Sequence, residues 1–237
     1  MNLKTAPCFP LSLVIALGLV AWLACQSASA QVAGANAPEK MPLKPVSPGV
    51  FELGKVRLDK NRQTVSFPAL VNMREANIEY LVVTASGKMH ESIFRTDAEP
   101  YHIQLALLLL GAKGAGTNDF PADKTEPLPG DSVSVEVVWA SKGKSVRRRG
   151  EDFVYNLETK SAMSQGAWTY NGSRMYRGTF LAQQDGSIIS VMVDADALIN
   201  NPRPGRENDK IWLANTNALP PLNSPVEVVV TLKSSVK

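Results

Sequence analysis

Residues 87–114 read GKMHESIFRTDAEPYHIQLALLLLGAKG, and the fold class turns on how this stretch changes character halfway along. Its first part, KMHESIFR, predicts a strand. At Gly87 it joins the β-rich run NIEYLVVTAS, and the two read as a hairpin. The second part predicts a helix from Asp97 to Leu110. Thr96 and Glu99 have capping-box spacing, Pro100 falls in the first turn, and Gly111 follows as a stop. The run IQLALLLLGA is apolar nearly all round, so this helix is expected to be covered on most sides.

Strand patterns dominate on either side. FELGKVRLD and TVSFPALV flank the polar KNRQ and predict a hairpin. DSVSVEVVWA alternates polar and apolar residues like a half-buried strand, and SKGK turns it into SVRRRG. EDFVYNLE has the look of a short helix. GAWTYNG, MYRGTFLAQ and SIISVMVDA read as a meander, with Asp185-Gly186 as a two-residue hairpin signal. IWLANTNALPP and PVEVVVTLK complete the chain. No repeat and no linker divides residues 50–237, which predict one strand-dominated α+β domain of antiparallel, sandwich-like sheets with one principal buried helix.

The first thirty residues read differently. Lys4 precedes an uncharged apolar run from Leu11 to Ala24, and Ala28-Ser29-Ala30 stands before Gln31. That is the layout of a secretory signal peptide, with cleavage after Ala30. A second reading is a lipoprotein signal, because WLAC ends at Cys25. Residues 31–49, rich in Ala, Pro and Gly, read as a flexible spacer. The expected location is therefore periplasmic or extracellular, or tethered through Cys25.

Both cysteines, Cys8 and Cys25, fall inside the signal. The mature chain would carry no thiol for a disulfide, a nucleophile, a zinc–thiolate site or an iron–sulfur cluster, so no cofactor is expected. Its formal charge falls from +3 to +2 when Lys4 is removed, which gives no nucleic-acid surface. No later run is long and apolar enough to span a bilayer as a helix.

Several apparent motifs fail on context. Gly143-Lys144-Ser145 lacks the first glycine of a phosphate loop, and GAKGAG follows a helix instead of opening one. Asp194 and Asp196 begin like a calcium loop, but Leu198 and Ile199 stand where a ligand and a glycine belong. The basic run Lys142, Lys144, Arg147, Arg148 and Arg149 reads as a solvated strand edge. Asn171-Gly172-Ser173 is formally a glycosylation sequon, yet an Asn-Gly turn explains it equally.

Two clusters survive. His90 and His102 are the only imidazoles, with Glu91 and Glu99 as neighbouring acids and Ser92 close by. A strand at one and a helix start at the other would leave their heights differing by roughly 10 Å, too far for one metal without a bend. Adjacent strand residues face opposite ways, which also sets His90 apart from Glu91. Trp168, Tyr170 and Tyr176 form the second cluster. Exposed together they would make a stacking platform for a glycan, and buried they are the inner face of a sheet.

Taken in order, VRLDKNRQTVSFPALVNM, IEYLVVTASGKMHESIF, IQLALLLLGAKG, WTYNGSR, FLAQQDGSIISVMVDADALINNP and NALPPLNSPVEVVV resemble the YdjY-like domain of exported bacterial proteins. The likeness covers roughly residues 50 to 234. Some members are labelled ferredoxin-like, a role that needs cysteine clusters this mature chain lacks. His90, Glu91 and Ser92 match the family's strand motif, and the resemblance gives them no role. The leading expectation is a non-enzymatic, exported binding or envelope-associated domain. Its partner would be an envelope protein, a glycan or a small molecule, met through loops 112–130 and 200–210. The alternatives are a hydrolase or metal-dependent enzyme centred on His90 and Glu91, and a glycan-binding module.

Overall fold

The computed structural model describes residues 43–116, 120–121 and 126–233. The predicted signal peptide, Cys25 and most of the predicted spacer lie outside the described residues. The spacer reading fails at its end, because Leu43–Ser47 is a strand, β1. Its Pro45 is tolerated because β1 is an edge strand, paired only with β2 (Val50–Leu53).

FELGKVRLD is not one strand. It folds back at Gly54-Lys55, giving β2 and β3 (Val56–Asp59). The predicted turn at residues 60–63 then leads into β4 (Thr64–Val71), with Asp59 opposite Thr64. Next come β5 (Tyr80–Thr84), a 3-10 turn at Met89–Glu91, β6 (Ser92–Thr96) and helix α1 (Pro100–Leu109). The predicted hairpin of β7 (Asp131–Ser141) and β8 (Lys144–Arg149) is present. A 3-10 turn at Gly150–Phe153 follows, where a short helix was expected. After it come β9 (Val154–Asn156), β10 (Ser161–Ala162), β11 (Trp168–Tyr170), β12 (Met175–Tyr176) and β13 (Thr179–Phe180). A five-residue helix, α2 (Leu181–Asp185), precedes β14 (Ser187–Ser190), β15 (Ile199–Asn200), β16 (Trp212–Ala214) and β17 (Pro225–Leu232).

Eight strands close a ring in the order β4, β17, β7, β11, β15, β14, β5, β6, with β6 returning to β4 at Leu70–Arg95 and Val71–Phe94. The sandwich expectation is corrected to a closed barrel. Alternation along a strand is the same in either architecture, so it could not choose between them. Long-range pairing chose. β5 and β6 are parallel, not a hairpin, and β14 and β15 are parallel as well. Residues 85–91 carry the chain back along β5 through a turn at Thr84–Gly87 and the 3-10 turn, so that Ser92 aligns with Tyr80. The expected meander is absent for the same reason: β11 joins β7 to β15, and β12–β13 is a separate two-stranded ribbon.

The core follows the alternation. Val65, Phe67, Ala69 and Val71 of β4, Val226, Val228 and Val230 of β17, and Val133, Val135 and Val137 of β7 are buried. Pro68, Glu136 and Glu227 point the other way. Pro68 breaks no pairing on the open side of β4, because it falls in the gap where that edge passes from β3 to β6. β3 and β4 carry α1, which buries Ile103, Ala106 and Leu107. The helix is covered on most sides, as its all-round apolar run predicts: β3, β4 and α2 pack against it, and only Tyr101 and Leu108 are exposed. It starts later than predicted, since Thr96 ends β6 and its hydroxyl accepts from Ala98 N at 3.0 Å instead of capping the helix. Gly111 is the stop that the sequence predicted. At φ 97° it lets Gly111 N reach Leu108 O and Ala112 N reach Leu107 O, the paired bonds of a Schellman ending.

Asp185-Gly186 is not a hairpin turn. Gly186, at φ 70°, ends α2 in a left-handed conformation, which an Asn/Asp-Gly hairpin also requires. A Cβ there would run into Thr84 Oγ1 and the Gly87 backbone. Gly186→Ala is expected to destabilise by more than the roughly 1–2 kcal/mol of left-handed backbone alone. A urea melt reads this directly, and an unchanged midpoint would mean that the β5–β14 contact yields freely.

Candidate functional site

The start of β5, the turn after it, the junction of α2 with β14 and the segment after β14 enclose an open polar cleft of about 370 Å³, lined by Glu79, Tyr80, Lys88, Asp185, Ser187 and Asp194 among others. Tyr80 is its floor. The ring is buried, with Lys88 Nζ 5.2 Å from its centroid, and the hydroxyl donates to Asp194 Oδ2 at 2.9 Å. Asp194 is held from behind. Its Oδ1 accepts Asp196 N at 2.9 Å, and its backbone N–H and C=O both bond the buried Asn200 amide. Asn200 Nδ2 also donates to Asn171 Oδ1 at 3.0 Å. The aspartate pair that failed as a calcium loop is thus an Asx turn that aims one carboxylate at Tyr80.

Lys88 stands 3.6 Å from Glu79 and 3.4 Å from Glu91. Burial works to lower its pKa, but Tyr80, Glu91 and Glu79 more than offset this and keep the ammonium charged. Burial, then the Glu91 charge, pushes Glu79 up. Burial, then Asp194, pushes Tyr80 up to about 12. Burial, then Asp196 and Asp194, pushes Asp185 up. The cleft thus gathers carboxylates around one lysine that is already engaged.

The sequence-predicted residues lie around this cleft or away from it. His90 is in the 3-10 turn, not a strand, so the opposite-faces argument does not apply to it. Its Nε2 is 3.6 Å from Glu91 Oε2, and its side chain is 80% exposed. Ser92 is fully buried at the start of β6, where its hydroxyl donates to Phe94 O at 3.1 Å. His102 lies past the other end of β6, with Nδ1 3.9 Å from Glu99 Oε2 and the ring against Gly54. The two imidazoles share no partner. Among the described residues, no three His, Cys, Asp or Glu side chains come together as a metal site.

Trp168 and Tyr170 are buried while Tyr176 is 54% exposed, so the three rings form no common platform. Asn171 is buried too, and its amide nitrogen donates to Pro129 O. Part of loop 112–130 lies outside the described residues. Loop 200–210 is partly buried: Arg203 and Arg206 turn inward from it, while Pro204, Glu207, Asp209 and Lys210 are exposed. Arg203 Nη2 meets Glu151 Oε1 at 2.9 Å, Arg149 Nη2 reaches the same oxygen at 2.6 Å, and Gly166 N donates to it at 3.0 Å. The Arg203 guanidinium lies 5.3 Å from the Trp168 ring centroid. Arg149 therefore departs from the solvated-edge reading of its basic run. Sequence reasoning passed over Tyr80 and Lys88 and read Asp194 only as part of a failed calcium loop, because Tyr80 and Asp194 meet across 114 positions.

A family model described as the YdjY domain matches residues 56–231. No curated protein and no solved structure matches the chain. The matched span starts with β3 and ends within β17, so it takes in every strand of the closed barrel and the whole Tyr80 cleft. On that match, the chain belongs to the YdjY domain family.

Proposed function

We propose that this protein is an exported, envelope-associated binding domain without catalytic activity, and that the Tyr80 cleft receives a ligand bearing an ammonium or guanidinium group. One observation carries the reading. Lys88 is held by Glu79 and Glu91, which leaves Asp185 and Asp194 facing the opening with no lysine or arginine partner among the described residues. A cation placed between them offsets the Asp196 and Asp194 charges that add to burial in raising Asp185. Binding is favoured over turnover because no histidine lines the cleft. Tyr80, pushed up to about 12, keeps its proton at neutral pH and acts as a fixed donor to Asp194.

Calorimetric titration with spermidine at low ionic strength is expected to saturate. The double variant D185N/D194N should weaken it roughly five- to thirtyfold, as two charge contacts of roughly 0.5–1 kcal/mol each would give. Added salt should weaken it further. Since the Asp185 pKa is raised, affinity should begin to fall on acidification at a higher pH than an ordinary aspartate would dictate. Equal responses from the native protein and the double variant would refute the reading.

A further inference from the structure

The exposed apolar side chains are concentrated. Of the eight large ones exposed among the described residues, Tyr101, Leu108, Met175 and Tyr176 lie on the surface made by α1 and the β12–β13 ribbon. That surface is continuous. The Tyr101 ring meets Phe180 edge-on at 5.9 Å, Phe180 pairs with Met175 across the ribbon, and the Gln104 side chain bonds both backbone groups of Ser173. Leu108, Lys113 and Arg174 border one small cleft beside it. The ribbon pairs with no other strand among the described residues and turns at Arg177-Gly178, both at positive φ, so Met175 and Tyr176 are carried clear of the barrel.

The ribbon on this surface is basic. Residues 172–184 contain Arg174 and Arg177 and no acid. Arg177 lies over the Tyr176 ring at 5.2 Å, which places a guanidinium and a phenol at one tip. Asp196 is the acid that faces Arg174, at 3.2 Å, while 65% of the Arg174 side chain stays exposed.

We propose that this face docks on an anionic lipid surface, with Met175 and Tyr176 entering the headgroup boundary and Arg177, Arg174 and Lys113 meeting the phosphates. Tyrosine and arginine suit that boundary because each joins an apolar body to a polar tip. A protein partner fits less well. Stable protein interfaces take roughly 20–30 residues a side, and this patch offers a handful. Two-residue strands are also too short to accept an added strand. A few apolar side chains with nearby cations are instead what a weak peripheral membrane contact needs, each cation near an anionic surface raising partitioning about fivefold. The proposal does not depend on the Tyr80 cleft.

Vesicle sedimentation tests it, using processed protein recovered from an exporting host. Vesicles of phosphatidylethanolamine and phosphatidylglycerol are expected to pull the protein down, pure phosphatidylcholine much less, and added salt should release it. M175S/Y176S should lose roughly tenfold in partitioning, and R177Q a smaller factor, with circular dichroism unchanged. These positions are exposed, so folding is preserved. Equal partitioning of native and M175S/Y176S protein overturns the proposal, as does indifference to lipid charge. A native dimer in light scattering that M175S/Y176S dissociates would assign the face to a second copy of the chain and overturn it too.

Discussion

Replacing Arg203 with methionine is expected to lower folding stability by about 3–5 kcal/mol, because it strands a buried carboxylate. Glu151 is fully buried and takes hydrogen bonds from Arg149, Arg203 and the Gly166 backbone on one oxygen. In a domain of this size the loss corresponds to a fall in Tm of roughly 6–20 °C. The pH dependence follows from the direction of the Glu151 shift. Burial alone would raise this carboxyl, but the Arg149 hydrogen bond, the backbone N–H groups and the Arg203 charge outweigh it and hold the folded pKa below the ordinary 4.5. A depressed folded pKa gives stability that is fully present above the unfolded value and is lost as pH falls through the folded one. The gap between native protein and R203M should therefore be widest at neutral pH and narrow on acidification below about pH 4. A gap under about 1 kcal/mol that stays constant with pH would mean that Glu151 is solvated through local opening.

Phe94→Ala is the second large expectation, at about 3–5 kcal/mol. Phe94 is fully buried, packs edge-on against Phe153 at 5.3 Å, and sits opposite Val71 in one of the two residue pairs that close β6 on β4. Elsewhere the barrel has long ladders, such as the seven pairs between β4 and β17. With two pairs, the seam equals β11–β15 as the shortest antiparallel junction of the ring, so a cavity there should loosen it before the long ladders. Hydrogen exchange on F94A should show the amides around Val71 and Arg95 losing protection ahead of those in β17 and β7. Seam amides that keep pace with β17, or a stability loss below about 1 kcal/mol, would show that Phe94 does not hold the closure.

Local sequence chemistry carried the elements well. The β7–β8 hairpin, the β3–β4 turn, the final strand and the Gly111 helix stop all follow from alternation and turn residues a few positions apart. Where one local signal serves two structures, reading it failed. Asp185-Gly186 supplies a left-handed residue that a hairpin and a helix end both require, and Thr96 bonds a nearby backbone N–H whether or not a helix follows. His90 was assigned to a strand because KMHESIFR is β-rich throughout, yet its first residues are needed to bring the chain back for a parallel pairing.

The sequence by itself determined that strands dominate, that one apolar helix follows β6, and that both cysteines precede Leu43. Each of these depends on residue type and near-neighbour spacing. Only the tertiary structure decided that eight strands close into a barrel, that Tyr80 meets Asp194 over 114 positions, and that Arg203 meets Glu151 over 52. Those outcomes depend on which strand edges find each other, and the period-two pattern that makes a strand is the same whichever neighbour it pairs with.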